Sequence, residues 1–344
     1  MTGEGEGVLN LISRKDLVNA AYLSYNVIHS KNSGVIMHKK ITVVGAGNVG
    51  TTTAQLIAEK NLADVVLIDV VEGIPQGKAL DIQEACPLWH SSARVTGTNN
   101  YEDSANSDIV VITAGLARKP GMSRDDLLKA NANIIKEIAE KIAHACPKAI
   151  VIVVTNPMDA MAHLTQKVTT FPFHRIIGMG GVLDSARMRI FIALELGVSP
   201  RDVQAIVLGG HGDLMVPLPR FTTIGGKNIA DILPASKIEK IIERTKNGGA
   251  EIVGLLKTGS AYYAPAASVV EMIETIFGFK NDLLPCSVYI NGEYGVKGVY
   301  SGVPVELSSR GVEKVIELEL TEDEKQAFIK SAEAVRELVK KLEI

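Results

Sequence analysis

From Lys39 to about residue 180, apolar strands alternate with amphipathic helices, and the first strand runs straight into a glycine turn. Strands read at 40–45, 65–69, 108–113, 149–154 and 175–178, with helices over about 48–60, after Gly73, and over about 123–145. Continuous apolar strands separated by helices belong to a parallel sheet covered on both faces, because a parallel return needs a crossover. Ser123 suits an N-cap, with Asp125 and Asp126 in the first turn, and Pro147 marks the end of that helix.

The apolar run Ile41 to Val44 leads into Gly45, Ala46, Gly47, Asn48, Val49 and Gly50, with the spacing G-x-G-x-x-G. Such a turn lets the backbone approach a pyrophosphate, and the following helix presents unpaired N–H groups to the anion. The next strand closes on Asp69, 19 positions after Gly50. A carboxylate there accepts hydrogen bonds from an adenosine ribose and repels a 2′-phosphate. The glycine spacing alone is a weak signal. With a strand before it, a helix after it and an acid at this distance, it points to NAD rather than NADP.

The 344 residues suit two domains, and 46% hydrophobic with 22% charged residues is enough to build an ordinary core. A net charge of −3 with interspersed signs argues for no nucleic-acid partner, and no apolar stretch reaches the roughly 18 residues of a membrane span. Cys86, Cys146 and Cys286 lack metal-ligand spacing and read as thiols in a reducing compartment, so a cytoplasmic location with no metal is expected. Residues 1–36 form an N-terminal extension, expected to be poorly ordered. They lack the pattern of a secretory signal, and Met37 is a candidate natural start.

Residues 37–180 thus read as a doubly wound nucleotide-binding domain. Residues 181–344 change texture. A helix over 183–196 precedes strands at 203–208 and 217–223, two long helices over 236–257 and 259–278, strands at 285–290 and 296–304, and a helix over 321–341. Strands and helices in blocks suggest an α+β second domain. Gly225-Gly226 and Gly248-Gly249 read as turns.

Ligands of open parallel sheets bind at the carboxyl ends of the strands. After the third strand Arg118 and Arg124 flank Pro120-Gly121; they read either as a solvated basic loop or as a grip on carboxylates. After the fourth strand, Asn156 before Pro157 is either a turn and cap or an amide directed into the cleft. Asp184 and Arg187, spaced i, i+3, are either an intrahelical ion pair or a carboxylate for a histidine beside a guanidinium for a substrate acid. His211 sits among Gly209, Gly210 and Gly212, and histidine is the side chain best suited to proton exchange near neutral pH.

These motifs, GAGNVG, LIDV, ITAGLARKPGMSRDDLL, VTNPMD, LDSARMR and GGHGDLMVPL, stand in unbroken order over about 38–340. In that order the chain resembles the malate/lactate dehydrogenases, in particular the malate dehydrogenases of the lactate-dehydrogenase-like branch. The resemblance implies a Rossmann doubly wound parallel sheet followed by an α+β substrate domain, and reversible NAD-dependent oxidation of (S)-malate to oxaloacetate. It implies that Gly45 to Gly50, Asp69, Asn131, Val154, Thr155 and Asn156 hold NAD. It implies His211 as proton acceptor and donor, Asp184 as the residue that fixes its tautomer, and Arg187 as the clamp on the C1 carboxylate. Arg124 would polarise the C2 oxygen and Asn156 would bond to it. At the position of Arg118, lactate-specific members usually carry Gln and malate-specific members Arg. A homo-oligomer, tetramer or dimer, is also implied. The alternatives are a lactate or other 2-hydroxy acid dehydrogenase, or a non-catalytic NAD-binding protein.

Overall fold

The structure, a computed structural model, describes residues 39–116 and 123–342; the N-terminal extension and Met37 lie outside them. Six parallel strands come first: β1 (Lys40–Val44), β2 (Asp64–Ile68), β3 (Val95–Thr98), β4 (Ile109–Ile112), β5 (Ile150–Val153) and β6 (Ile176–Gly178). They lie in the order 3-2-1-4-5-6. Every residue of β4 and β5 is buried, which is why they read as unbroken apolar runs. The covering helices of this half are α1 (Asn48–Glu59), α2 (Ile74–Ala85), α3 (Arg124–Ala145) and α4 (Met158–Thr169). Ser123 caps α3: its hydroxyl accepts the Asp126 N–H at 3.0 Å, and Asp126 Oδ2 accepts the Ser123 N–H at 3.1 Å.

The second half starts with α5 (Gly181–Leu196), short strands β7 (Val203–Gln204), β8 (Val207–Leu208), β9 (Val216–Pro217), β10 (Thr223–Ile224) and β11 (Lys227–Asn228), and the long helices α6 (Ala235–Leu256) and α7 (Tyr263–Ile276). It ends with β12 (Leu284–Asn291), β13 (Lys297–Ser308), β14 (Gly311–Val315) and α8 (Glu322–Lys340). The single strand expected at 203–208 is two, which join different small sheets: β7 pairs β10, and β8 pairs β9. The strand expected at 217–223 is interrupted by a 3-10 turn at Pro219–Phe221, where proline supplies no N–H to a ladder.

The β12–β14 meander does not form a sheet of its own. β12 pairs antiparallel with β6 through Ser287 opposite Gly178, so one nine-stranded sheet runs through both halves. Gly225 and Gly226 form the β10–β11 turn with φ of +55° and +83°. Gly248 and Gly249, read as a turn from sequence, instead lie inside α6. The apolar face of that helix, with Ile238 and Ile241 buried against Met188 and Ile192 of α5, carries it through the glycines.

Candidate active site

The order 3-2-1-4 places a topological switch between β1 and β4, and the groups of interest gather at the carboxyl ends of these strands. Gly45 follows β1 with φ +105° and donates its N–H to Ile68 O at 2.7 Å. A Cβ on Gly50 would stand 1.8 Å from Gly45 O, so only glycine lets α1 start so close to the strand. No side chain caps the start of α1 at Gly47, and a Cβ there would meet nothing within 4 Å. Asp69 Oδ2 accepts the Ala46 N–H at 2.7 Å and its Oδ1 the Val71 N–H at 3.1 Å, which ties the carboxylate to the turn. An uncapped helix start facing open space, with a fixed carboxylate beside it, fits the pyrophosphate and ribose of a dinucleotide. Val70, Val71 and Ile74, which sequence reading passed over, are exposed apolar side chains next to Asp69.

A cleft of about 780 Å³ extends from this turn. Val49, Thr113, Leu116, Val154, Thr155 and Asn156 line it from the first half of the chain, and Leu183, Arg187, His211 and residues of α6 and α7 from the second. Thr155 is anchored by its hydroxyl to Ala114 O at 2.6 Å. Asn131 stands behind the cleft rather than on it. It is 1% exposed; its Oδ1 accepts the Leu116 N–H at 2.7 Å, and its Nδ2 donates to Asn156 O at 2.7 Å. Its amide thereby braces two loops that do line the cleft.

Asp184, buried in the first turn of α5, joins His211 and Arg187. Its Oδ2 lies 2.8 Å from His211 Nδ1 and its Oδ1 3.4 Å from Arg187 Nη1. The ion pair and the carboxylate–histidine pair, alternatives in sequence, coexist. With Asp184 as acceptor, Nδ1 carries the proton and Nε2 is left for substrate. Burial pushes the His211 pKa down, but the adjoining Asp184 carboxylate and the nearby Asp159 carboxylate outweigh burial and Arg187, and the net shift is upward. Burial lowers the Arg187 pKa, with Asp184 opposing it.

Both neighbours of this triad are tightly fitted. Gly209 pairs with Gly302 of β13 through N–H to O bonds of 2.9 and 3.0 Å, and the Gly210 N–H donates to Ser331 Oγ of α8 at 2.9 Å. On the other side Arg187 lies along α6, where a Cβ on Gly248 would come within 3.0 Å of its Cδ. Arg124 opens α3, but its side chain, like all of Arg118, lies outside the described residues.

A family model described as the lactate/malate dehydrogenase NAD-binding domain matches residues 39–178, and that of the α/β C-terminal domain matches 181–343. The chain belongs to the lactate/malate dehydrogenase family. It is therefore an NAD-dependent oxidoreductase by kinship, with a Rossmann-type sheet and a C-terminal α/β part. Relatives named malate dehydrogenase from Heliobacterium modesticaldum and Thermomicrobium roseum are both 54% identical, each over 88% of this chain and 97% and 98% of their own. Among solved structures, Cryptosporidium parvum malate dehydrogenase is 47% identical with a TM-score of 0.87, covering 89% of this chain and 99% of that one. The lactate dehydrogenase of the same organism, complexed with lactic acid and NAD, is 42% identical at the same TM-score, covering 90% and 99%. One overall fold thus serves both named activities among these relatives.

Proposed function

We propose that this chain is an NAD-dependent malate dehydrogenase, interconverting (S)-malate and oxaloacetate. The observation that carries the reading is the Asp184–His211–Arg187 constellation facing the cleft that leads from the glycine turn. Bound NAD would accept the hydride leaving C2. Gly45 to Gly50 and Asp69 would hold its pyrophosphate and ribose, and Val49 with Val154–Asn156 would border its nicotinamide half. His211 Nε2 takes the hydroxyl proton as the C2–O bond becomes a carbonyl. Asp184 keeps Nδ1 protonated and stabilises the imidazolium that forms, as carboxylates do in other acid–histidine pairs. Arg187 grips the C1 carboxylate, Asn156 donates to the C2 oxygen, and Arg124 polarises it.

Arg118 supplies the second cation that a dicarboxylate requires, since a buried charge without a partner is costly. Pyruvate would leave that guanidinium unpaired, so both sides of the choice favour oxaloacetate. Assembly as a homotetramer and a cytoplasmic location belong to the same proposal; among the described residues no helix is long and apolar enough to cross a membrane.

The test follows NADH absorbance on adding oxaloacetate or pyruvate to the native chain and to Arg118→Gln. Rapid oxidation with oxaloacetate is expected. Arg118→Gln should lower kcat/KM for oxaloacetate by more than ~100-fold, about 2.7 kcal/mol, with a relative gain on pyruvate. Native turnover of pyruvate but not oxaloacetate would make the chain a lactate dehydrogenase instead. Unchanged preference in Arg118→Gln would remove Arg118 from the specificity argument.

A further inference from the structure

A second buried carboxylate adjoins the site without a part in the chemistry above. Asp159, the second residue of α4, is 4% exposed. Its Oδ2 accepts the His211 backbone N–H at 2.8 Å, and its Oδ1 lies 2.6 Å from Ser287 Oγ. Ser287 is fully buried in the middle of β12, and among the described residues its hydroxyl has no other hydrogen-bond partner. The hydroxyl therefore donates its proton to Asp159, and a backbone N–H can only donate. Two donors and no acceptor are the surroundings of an ionised carboxylate. The 2.6 Å separation falls in the charge-assisted O–H···O⁻ range of about 2.5–2.7 Å.

We propose that Asp159, tied to Ser287, is a positioning residue for His211 that fixes the loop bearing the imidazole and sets a second negative charge beside it. Asp184 orients the ring and Asp159 holds the backbone from which the ring hangs. The inference rests on the reading of His211 as the proton carrier. The charged groups acting on the His211 ring are Asp184, Asp159 and Arg187, and those acting on Asp159 are the His211 ring and Asp184. Their elements are α4 for Asp159 and α5 for Asp184 and Arg187, while β12 and α8 bring the uncharged Ser287 and Ser331. Asp213 follows two residues later on the His211 loop. Burial is the main influence on Asp159 and raises its pKa, while the Ser287 and His211 donors pull it back. The carboxylate is thus held charged at a cost, and its benefit is to the imidazolium, the form that donates to oxaloacetate.

Asp159→Asn keeps the shape. Its amide oxygen can accept the His211 N–H, and Ser287 can turn to accept from the amide NH₂, so the loop is held while the charge is lost. Two readouts on the full chain separate the possibilities: ring-proton NMR titration of His211 without ligand, assigned by its absence in His211→Asn, and the pH profile of kcat/KM for oxaloacetate reduction. The NMR midpoint should move to lower pH. The ratio of kcat/KM between the acidic and alkaline ends of the profile should rise about tenfold, the size expected of one unit charge in a high effective dielectric. Ser287→Ala removes a donor that keeps Asp159 ionised against burial, so part of the charge is lost and the midpoint should move the same way by less; this variant serves if Asp159→Asn does not fold. An unmoved NMR midpoint in a folded variant overturns the proposal. A moved midpoint with an unmoved kinetic profile upholds Asp159 and overturns His211 as the proton carrier.

Discussion

Replacing Gly248 by alanine sets two effects of known sign against each other. Gly248 is buried within α6, where glycine costs about 1 kcal/mol relative to alanine. Stability should therefore gain from the substitution. The new Cβ, however, would lie 3.0 Å from Arg187 Cδ and 3.4 Å from Nε. Carbon atoms settle at about 3.5–4.0 Å, so the arginine stem must give by roughly half an ångström and carry the guanidinium with it. A misplacement of about 1 Å in a positioning group costs up to ~100-fold, so half that displacement corresponds to about tenfold, near 1.4 kcal/mol. In the proposed mechanism Arg187 would grip a carboxylate present in both substrate and transition state, which places the loss in KM rather than kcat. Initial rates over a range of oxaloacetate and of NADH, with a thermal melt alongside, read each quantity separately. The expected result is a KM for oxaloacetate raised about tenfold, little change for NADH, and a melting temperature within about 3 °C of native. A native KM for oxaloacetate would refute the argument that Gly248 reserves space for Arg187.

Asp184→Asn removes the charge that stabilises the His211 imidazolium and pairs with Arg187, and its amide NH₂ can face Nδ1 and favour the wrong tautomer, so kcat for oxaloacetate reduction should fall by about 10³–10⁴, or ~4–5.5 kcal/mol, the scale seen when an acid–histidine pair loses its acid. A loss below tenfold would dismiss the pairing. The raised pKa of His211 fixes a pH dependence. In the proposed mechanism reduction draws on the imidazolium, so kcat/KM for oxaloacetate should be full at low pH and fall as pH rises through a midpoint above the ordinary histidine range of about 6.5. Oxidation of malate should show the mirror image, and a reduction midpoint below that range would contradict the assignment. The same sign applies to folding: the stability contributed by His211 is present below its unfolded pKa and lost as pH rises through the folded one.

What could be read before the structure depended on whether a signal was local. β4 and β5 were legible because burial on both faces leaves unbroken apolar runs, and the capping box of Ser123 and Asp126 spans only four residues. β3, with the sequence VTGT, is short and polar, and only its pairing with β2 makes it a strand. α4 follows Pro157 and buries polar Asp159, His163, Thr165 and Thr169 along with its apolar residues, so polarity in its sequence is a poor guide to its buried face. Asp159, in its first turn, carries no local mark in the sequence. Its partners Ser287 and His211 are 128 and 52 positions away, a distance no spacing rule spans. Gly248-Gly249 failed for a related cause: two glycines signal a turn unless a distant arginine needs the room. His211 stood out through its glycine neighbours, whereas its contact with Asp184 is a fact of folding.

The join of β12 to β6 bears on how the protein could be divided. The family boundary falls between residues 178 and 181, yet β6 does not end the sheet: Gly178 pairs with Ser287, contributed more than a hundred residues later. A fragment cut at that boundary would keep the glycine turn and Asp69 but leave the buried Ile176 and Ile177 on a bare strand margin. Such margins recruit strands from other chains, so the fragment should aggregate rather than serve as a free-standing dinucleotide binder. The half of the chain that carries His211 also carries the strand that covers the open margin of the nucleotide half.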